Sequence, residues 1–102
     1  MSVMIGLRVS ADVAKFTEVV TSDPERMQGI AQRGKDAGAI HHRFFGSVNG
    51  DEILVVDEWP SVEAFQGFFE NSPDIGEFMR EAGVTTEPQV AFWEELDTPD
   101  KF

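Results

Sequence analysis

The sequence predicts an α+β domain of the ferredoxin-like βαββαβ class, with a four-stranded antiparallel sheet covered on one face by helices. Three observations predict it. Apolar residues alternate with a period of two over four separate stretches, and helical spacing takes over between the first and second and between the third and fourth. The middle two stretches are joined through Asn49-Gly50, a strong short hairpin signal. Two split βαβ units in this order form a single sheet with its helices on one side.

Residues 3–9 set Val3, Ile5, Leu7 and Val9 on one face and Met4, Gly6 and Arg8 on the other, which reads as a strand. Gly6 leaves a gap on the mixed face, where a side chain or ligand can approach the backbone. From Asp12 the period lengthens: Val13, Phe16 and Val20 make a short helix over about 12–20. Met27, Ile30, Ala31 and Gly34 continue the helical spacing, but Pro24 separates the two sets because proline inside a helix removes a hydrogen bond and clashes with the turn before it. The second helix is capped by Asp23, takes Pro24 at its first position and stops at Gly38.

Strands over 39–48 and 52–59 follow. A two-residue type I′ turn at Asn49-Gly50 makes paired positions sum to 99, so His42 faces Asp57, His41 faces Glu58, Ile40 faces Trp59 and Phe44 faces Val55. Pro60 ends the strand, Ser61 caps a helix, and Val62, Phe65, Phe68 and Phe69 form its apolar stripe. Asn71 and Ser72 end it. Pro73 opens another short helix with Ile75, Phe78, Met79 and Ala82, closed by Gly83. Residues 87–96 alternate as a last strand, and residues 97–102 form an aperiodic tail outside the single domain of residues 1–96.

A chain of 102 residues fits one core. Its hydrophobic content of 41% and charged content of 26% are those of a folded protein. Nineteen acidic against eight basic side chains give a net charge of −11, a surface that repels phosphate backbones and anionic membranes. Nucleic acid and membrane are therefore not expected partners. The absence of cysteine excludes disulfides, thiolate metal sites and a cysteine nucleophile. Neither a charged leader with a long apolar run nor a stretch near the ~18 residues of a membrane span is present, so a cytoplasmic location is the expectation.

Both middle faces of the sheet are apolar: Ile53 and Val55 point one way, Leu54 and Val56 the other. Helices cover only one face, so a homodimer through the open face is expected.

His41 and His42 adjoin on a strand, point to opposite faces and cannot ligate one metal from the same subunit; no metal site is expected. Each has an acidic cross-strand neighbour instead. His42 and Asp57 share their face with Ile40, Phe44, Val55 and Trp59, and a carboxylate beside an imidazole fixes its tautomer. The pair is either a general base or a satisfied structural pair. His41, Arg43 and Glu58 form a second candidate set on the other face, where Arg43 lies diagonal to Glu58 for an ion pair, with anion binding as the other reading. The aromatic set that includes Trp59, Phe65, Phe68 and Phe44 reads as core or as the wall of a small-molecule pocket.

The segment Asp57-Glu58-Trp59-Pro60-Ser61-Val62-Glu63-Ala64-Phe65 resembles the E-x-W-x-S-x-E-A-F signature of the antibiotic biosynthesis monooxygenase-like family within the dimeric α/β barrel superfamily. The resemblance implies a homodimer with a cavity between sheet and helices in each subunit. It also implies one of several activities: cofactor-independent oxygenation of anthrones and quinols, heme degradation, lactone isomerisation, or aldehyde or autoinducer processing. Heme-degrading members carry an iron-binding histidine beyond the Trp-bearing helix, whereas residues 72–80 here contain none. The branch acting on polyphenols needs no cofactor, only a pocket that deprotonates or orients an electron-rich substrate; this chain lacks the tyrosines such pockets often use. Trp59 is the family-matching position. The expected function is thus a small-molecule enzyme of the cofactor-independent monooxygenase kind, acting on a small aromatic or polyketide-like substrate with His42 and Asp57 catalytic and Trp59, Phe65, Phe68 and Phe44 binding substrate. The alternative is a non-catalytic homodimer that binds a ligand or protein.

Overall fold

The computed structural model describes residues 1–102. The elements follow the expected order: β1 (Val3–Ser10), α1 (Val13–Ser22), α2 (Pro24–Asp36), β2 (His41–Gly46), β3 (Glu52–Trp59), α3 (Val62–Glu70), α4 (Pro73–Glu81) and β4 (Gln89–Trp93). The sheet order is β2-β3-β1-β4 with every pair antiparallel, which is the ferredoxin-like α+β fold.

The local signals act as their chemistry dictates. Asp12, Asp23 and Ser61 each accept a backbone N–H of the following turn, from Lys15, Arg26 and Ala64. Pro24 and Pro73 open α2 and α4, where a missing N–H costs nothing. Gly38 and Gly83, just beyond α2 and α4, take φ values of 115° and 87° that residues with a Cβ rarely adopt.

Ile5, Leu7 and Val9 of β1 and Ile53, Val55 and Trp59 of β3 are buried beneath the helices. The core falls into two clusters. One joins Leu7, Val9, Ile53, Phe16 and Phe78; the other joins Ile5, Trp59 and Phe65. Both outer strands are shorter than the sequence pattern predicts. Ala39 turns its N–H back to the Gly34 carbonyl at 2.9 Å to close α2, leaving His41 as the first ladder residue of β2. Near β4, Thr85 N–H and the Thr86 hydroxyl bond the backbone of Ser10 instead of a ladder forming.

The hairpin turn differs from the expected type I′ form. No residue other than glycine has positive φ, so Asn49 is not left-handed; only Gly50 is, at 84°. The ladder closes at Ser47, whose N–H donates to Glu52 O at 2.9 Å, and four residues connect the strands. Tertiary and side-chain bonds select this form. Gly50 O and Asp51 O accept from Val13 N–H and Ala11 N–H, and the Ser47 hydroxyl accepts from the N–H groups of Asp51 and Glu52. The longer loop has the same centre as the two-residue turn, so the register holds from His41 on: His42 faces Asp57, His41 faces Glu58 and Phe44 faces Val55, whereas Ile40, expected opposite Trp59, donates its N–H to Glu58 O at 2.8 Å instead.

No helix is long and apolar enough to cross a membrane.

Candidate active site

β3 places Ile53, Val55, Asp57 and Trp59 in one row because alternate strand residues share a face. That row looks toward the helices, and Asp57 is its only charged member. Its Oδ1 lies 2.7 Å from His42 Nδ1, and its Oδ2 accepts the Trp59 indole N–H at 3.2 Å. An ionised carboxylate is an acceptor only, so Nδ1 carries the imidazole proton and Nε2 is left as the free basic nitrogen. Asp57 is 13% exposed at its side chain and His42 42%, so the carboxylate is enclosed while the ring retains access to solvent or ligand. The His42 ring stands edge-on to Phe44, with centroids 4.8 Å apart.

Beside this trio lies a cavity of about 660 Å³ between the sheet and α2, α3 and α4. Its walls include His42, Asp57, Trp59, Phe44, Phe65, Phe68, Phe69, Ile75, Phe78 and Met79. Trp59 packs against Phe68 and Phe65 at ring-centroid distances of 5.4 Å and 5.9 Å, which builds a rigid aromatic end wall. The structure thus brings together every residue of the first candidate set: His42, Asp57, Trp59, Phe44, Phe65 and Phe68.

Sequence reasoning missed the outer wall. Met27, Ile30, Ala31 and Gly34 of α2 face the cavity, with Gln28, Gln32 and Lys35 along the same helix. Their helical spacing was the available signal, but it is equally the signature of a helix packed directly on a sheet. Two ion pairs tie α2 to α4: Arg33 to Asp74 at 2.8 Å and Arg26 to Glu81 at 2.5 Å. Hydrogen bonding to Glu81 raises the Arg26 pKa above its ordinary value, and its guanidinium also lies 5.6 Å above the centre of the Phe78 ring. The Asp57–Trp59 bond was also missed, although two residues of separation on a strand put both side chains on one face.

The second set does not assemble as expected. Glu58 Oε1 is 3.8 Å from His41 Nε2, and Glu58 Oε2 accepts the Ser2 hydroxyl. Arg43 stays diagonal to Glu58 in the register but forms no ion pair with it, the two Glu58 oxygens being directed to His41 and Ser2 instead. His41 borders the cavity mouth, but its ring is largely exposed and no enclosed site forms around the set.

Comparison with solved structures finds this architecture repeatedly. A monooxygenase, the ActVA-Orf6 product of Streptomyces coelicolor in complex with nanaomycin D, is 16% identical, with a TM-score of 0.66 over 95% of this chain and 88% of that one. SnoaB, a cofactor-independent oxygenase from Streptomyces nogalater, is 12% identical, with a TM-score of 0.62 over 98% and 97%. A dimeric ferredoxin-like protein from an uncultured marine organism is 15% identical, with a TM-score of 0.68 over 99% and 93%. No protein-family model and no curated protein matches the sequence. The chain therefore has the ferredoxin-like fold that antibiotic biosynthesis monooxygenases adopt.

Proposed function

We propose that this protein is a cofactor-independent monooxygenase acting on a small aromatic or polyketide-like substrate, with His42 as general base. The observation that carries the reading is the His42–Asp57–Trp59 trio at the wall of a 660 Å³ aromatic cavity. Drug-sized ligands occupy cavities of roughly 300–1,000 Å³ with mostly apolar walls and a few convergent polar groups. The folds of two oxygenases support the reading.

In the proposed reaction an anthrone-like substrate lies against Trp59 and Phe68, with Phe44 and Phe65 limiting its position. His42 Nε2 takes a proton from the acidic methylene carbon, and Asp57 balances the imidazolium charge. The resulting carbanion is delocalised through the ring system onto the carbonyl oxygen across the central ring and reduces dioxygen, forming a carbon–oxygen bond to a peroxide that recovers the proton from His42. Loss of the remaining hydrogen on that carbon and cleavage of the O–O bond release water and leave a carbonyl. One substrate and one dioxygen thus give one quinone and one water.

The subunit is proposed to work as a homodimer. The sheet face away from the helices exposes Leu54, Phe45 and Trp93 around Met4, Gly6 and Val56, and the indole Nε1 of Trp93 comes within 3.5 Å of the position a Gly6 Cβ would take. A second copy covers this apolar face.

The test is oxygen uptake with a panel of anthrones and quinols. Wild-type protein consumes one oxygen per substrate oxidised, and His42→Ala loses most of the rate, since a positioned base contributes about 10²- to 10⁴-fold. Full turnover by His42→Ala defeats the assignment.

A further inference from the structure

The cavity is lined by one cation, Lys35, that no ion pair of the chain engages. Of the eight basic side chains, four are held in ion pairs: Arg8 with Glu52, Arg26 with Glu81, Arg33 with Asp74, and Lys101 with Glu95 and Asp97. Lys35, in the last turn of α2, is in none of them and lines the cavity. Apart from the two histidines, the only other charged residue in the lining is Asp57, whose two oxygens are already taken by His42 and Trp59. Lys35 and Asp57 cancel in formal charge, but the carboxylate's hydrogen-bonding capacity is engaged within the protein while the Lys35 ammonium has no ion-pair partner, in a chain whose net charge is −11.

The position of Lys35 relates it to the candidate base. Its neighbour Gly34 accepts the Ala39 N–H at 2.9 Å, and a Cβ on Gly34 would lie 3.7 Å from Phe68 Cζ and 3.9 Å from Ala39 Cβ. Phe68 packs on Trp59, and β2 starts two residues after Ala39. Lys35 thus stands at the end of the cavity formed by Trp59, Phe68 and the start of β2. Gln28, Gln32 and Lys35 also fall on one side of α2 and form a polar border to the apolar interior.

We propose that Lys35 is a specificity-determining residue that selects ligands bearing an acidic substituent, the ligand being an aromatic body with a carboxylate at one edge. The inference rests on reading the cavity as a small-molecule site. The protein's overall negative field does not prevent such binding, because at physiological ionic strength charges beyond about 8 Å are largely screened while Lys35 acts at contact. Its exposure keeps the preference modest, about three- to fivefold, the upper part of the range of a solvent-exposed charge pair.

The test uses full-length protein and two probes, anthraquinone-2-carboxylate and its methyl ester, titrated by quenching of tryptophan fluorescence. Wild type is expected to bind the acid about three- to fivefold more tightly than the ester, and added salt to narrow the difference. Lys35→Met removes the preference with ester binding unchanged, and Lys35→Arg retains it. Equal binding of acid and ester by wild type, or a preference that survives Lys35→Met, overturns the role of Lys35 and leaves the cavity reading intact. Failure of wild type to bind either probe overturns both.

Discussion

Replacing Asp57 by asparagine changes the hydrogen-bond options of the site while preserving its shape. The carboxylate accepts from two donors, His42 Nδ1 at 2.7 Å and Trp59 Nε1 at 3.2 Å. An amide has one accepting oxygen and one donating nitrogen, and indole N–H can only donate. Trp59 is 1% exposed, so its N–H has little access to water, and leaving such a donor unpaired costs about 1–3 kcal/mol. His42 is 42% exposed and can change partners at less cost. The amide oxygen therefore turns to Trp59 and its NH₂ to His42, which makes Nδ1 an acceptor and moves the ring proton to Nε2. We expect Asp57→Asn to keep the fold within about 1 kcal/mol, the size of one net hydrogen bond. Oxygenation falls by about 10²- to 10⁴-fold because the free basic nitrogen has gone. Nitrogen-15 correlation spectra of the His42 ring report the tautomer directly, and urea denaturation reports the stability. An Asp57→Asn protein with an unprotonated Nε2, or with wild-type turnover, refutes the reasoning.

Three further outcomes follow from the packing. A Cβ on Gly46 would lie 2.6 Å from Val13 Cγ1, against a branched side chain with few rotamers, so Gly46→Ala should cost about 1–3 kcal/mol in urea denaturation, with much of the loss recovered by adding Val13→Ala; unchanged stability contradicts the contact. At Gly34 an added methyl meets only ordinary contacts of 3.7 and 3.9 Å, so Gly34→Ala should raise stability by about 0.5–1 kcal/mol through helix propensity, whereas Gly34→Leu should exclude three-ring probes from the cavity; a thermal melt and a probe titration check the two arms. Leu54→Asp puts a charge in the middle of the open sheet face and should convert a dimer into monomers in light scattering at micromolar concentration, while a wild-type monomer contradicts the proposed assembly.

The strand pairing was legible because one number controls it. Any symmetric loop centred between Asn49 and Gly50 gives pairs summing to 99, and the observed four-residue connection shares that centre with the two-residue turn. The turn type was not legible, because it depends on bonds from residues 11 and 13 that local sequence does not contain. The trio was nearly complete in the sequence: cross-strand pairing joins His42 to Asp57, and alternation puts Trp59 beside it. The outer wall was hidden for a different reason. Spacing tells which side of α2 faces inward but not how far the helix stands from the sheet. Its tertiary partners are equally non-local: Arg33 pairs with Asp74 and Arg26 with Glu81, 41 and 55 residues apart.

Two residues break the local rules of their elements, and both do so toward the same space. Asp57 interrupts a helix-facing row of Ile53, Val55 and Trp59, where an apolar side chain would avoid the cost of desolvating a carboxylate. Gly34 sits inside α2, where alanine would fit without a clash and would favour the helix. Neither choice is explained by stability alone: the first sacrifices apolar packing for a group that holds His42 in one tautomer, and the second leaves out the methyl that would narrow the space in front of Phe68. Local inconsistencies of this kind are expected at functional sites. Because these two converge on one cavity from opposite layers of the fold, they favour a small-molecule site over a filled core decorated with a structural His/Asp pair.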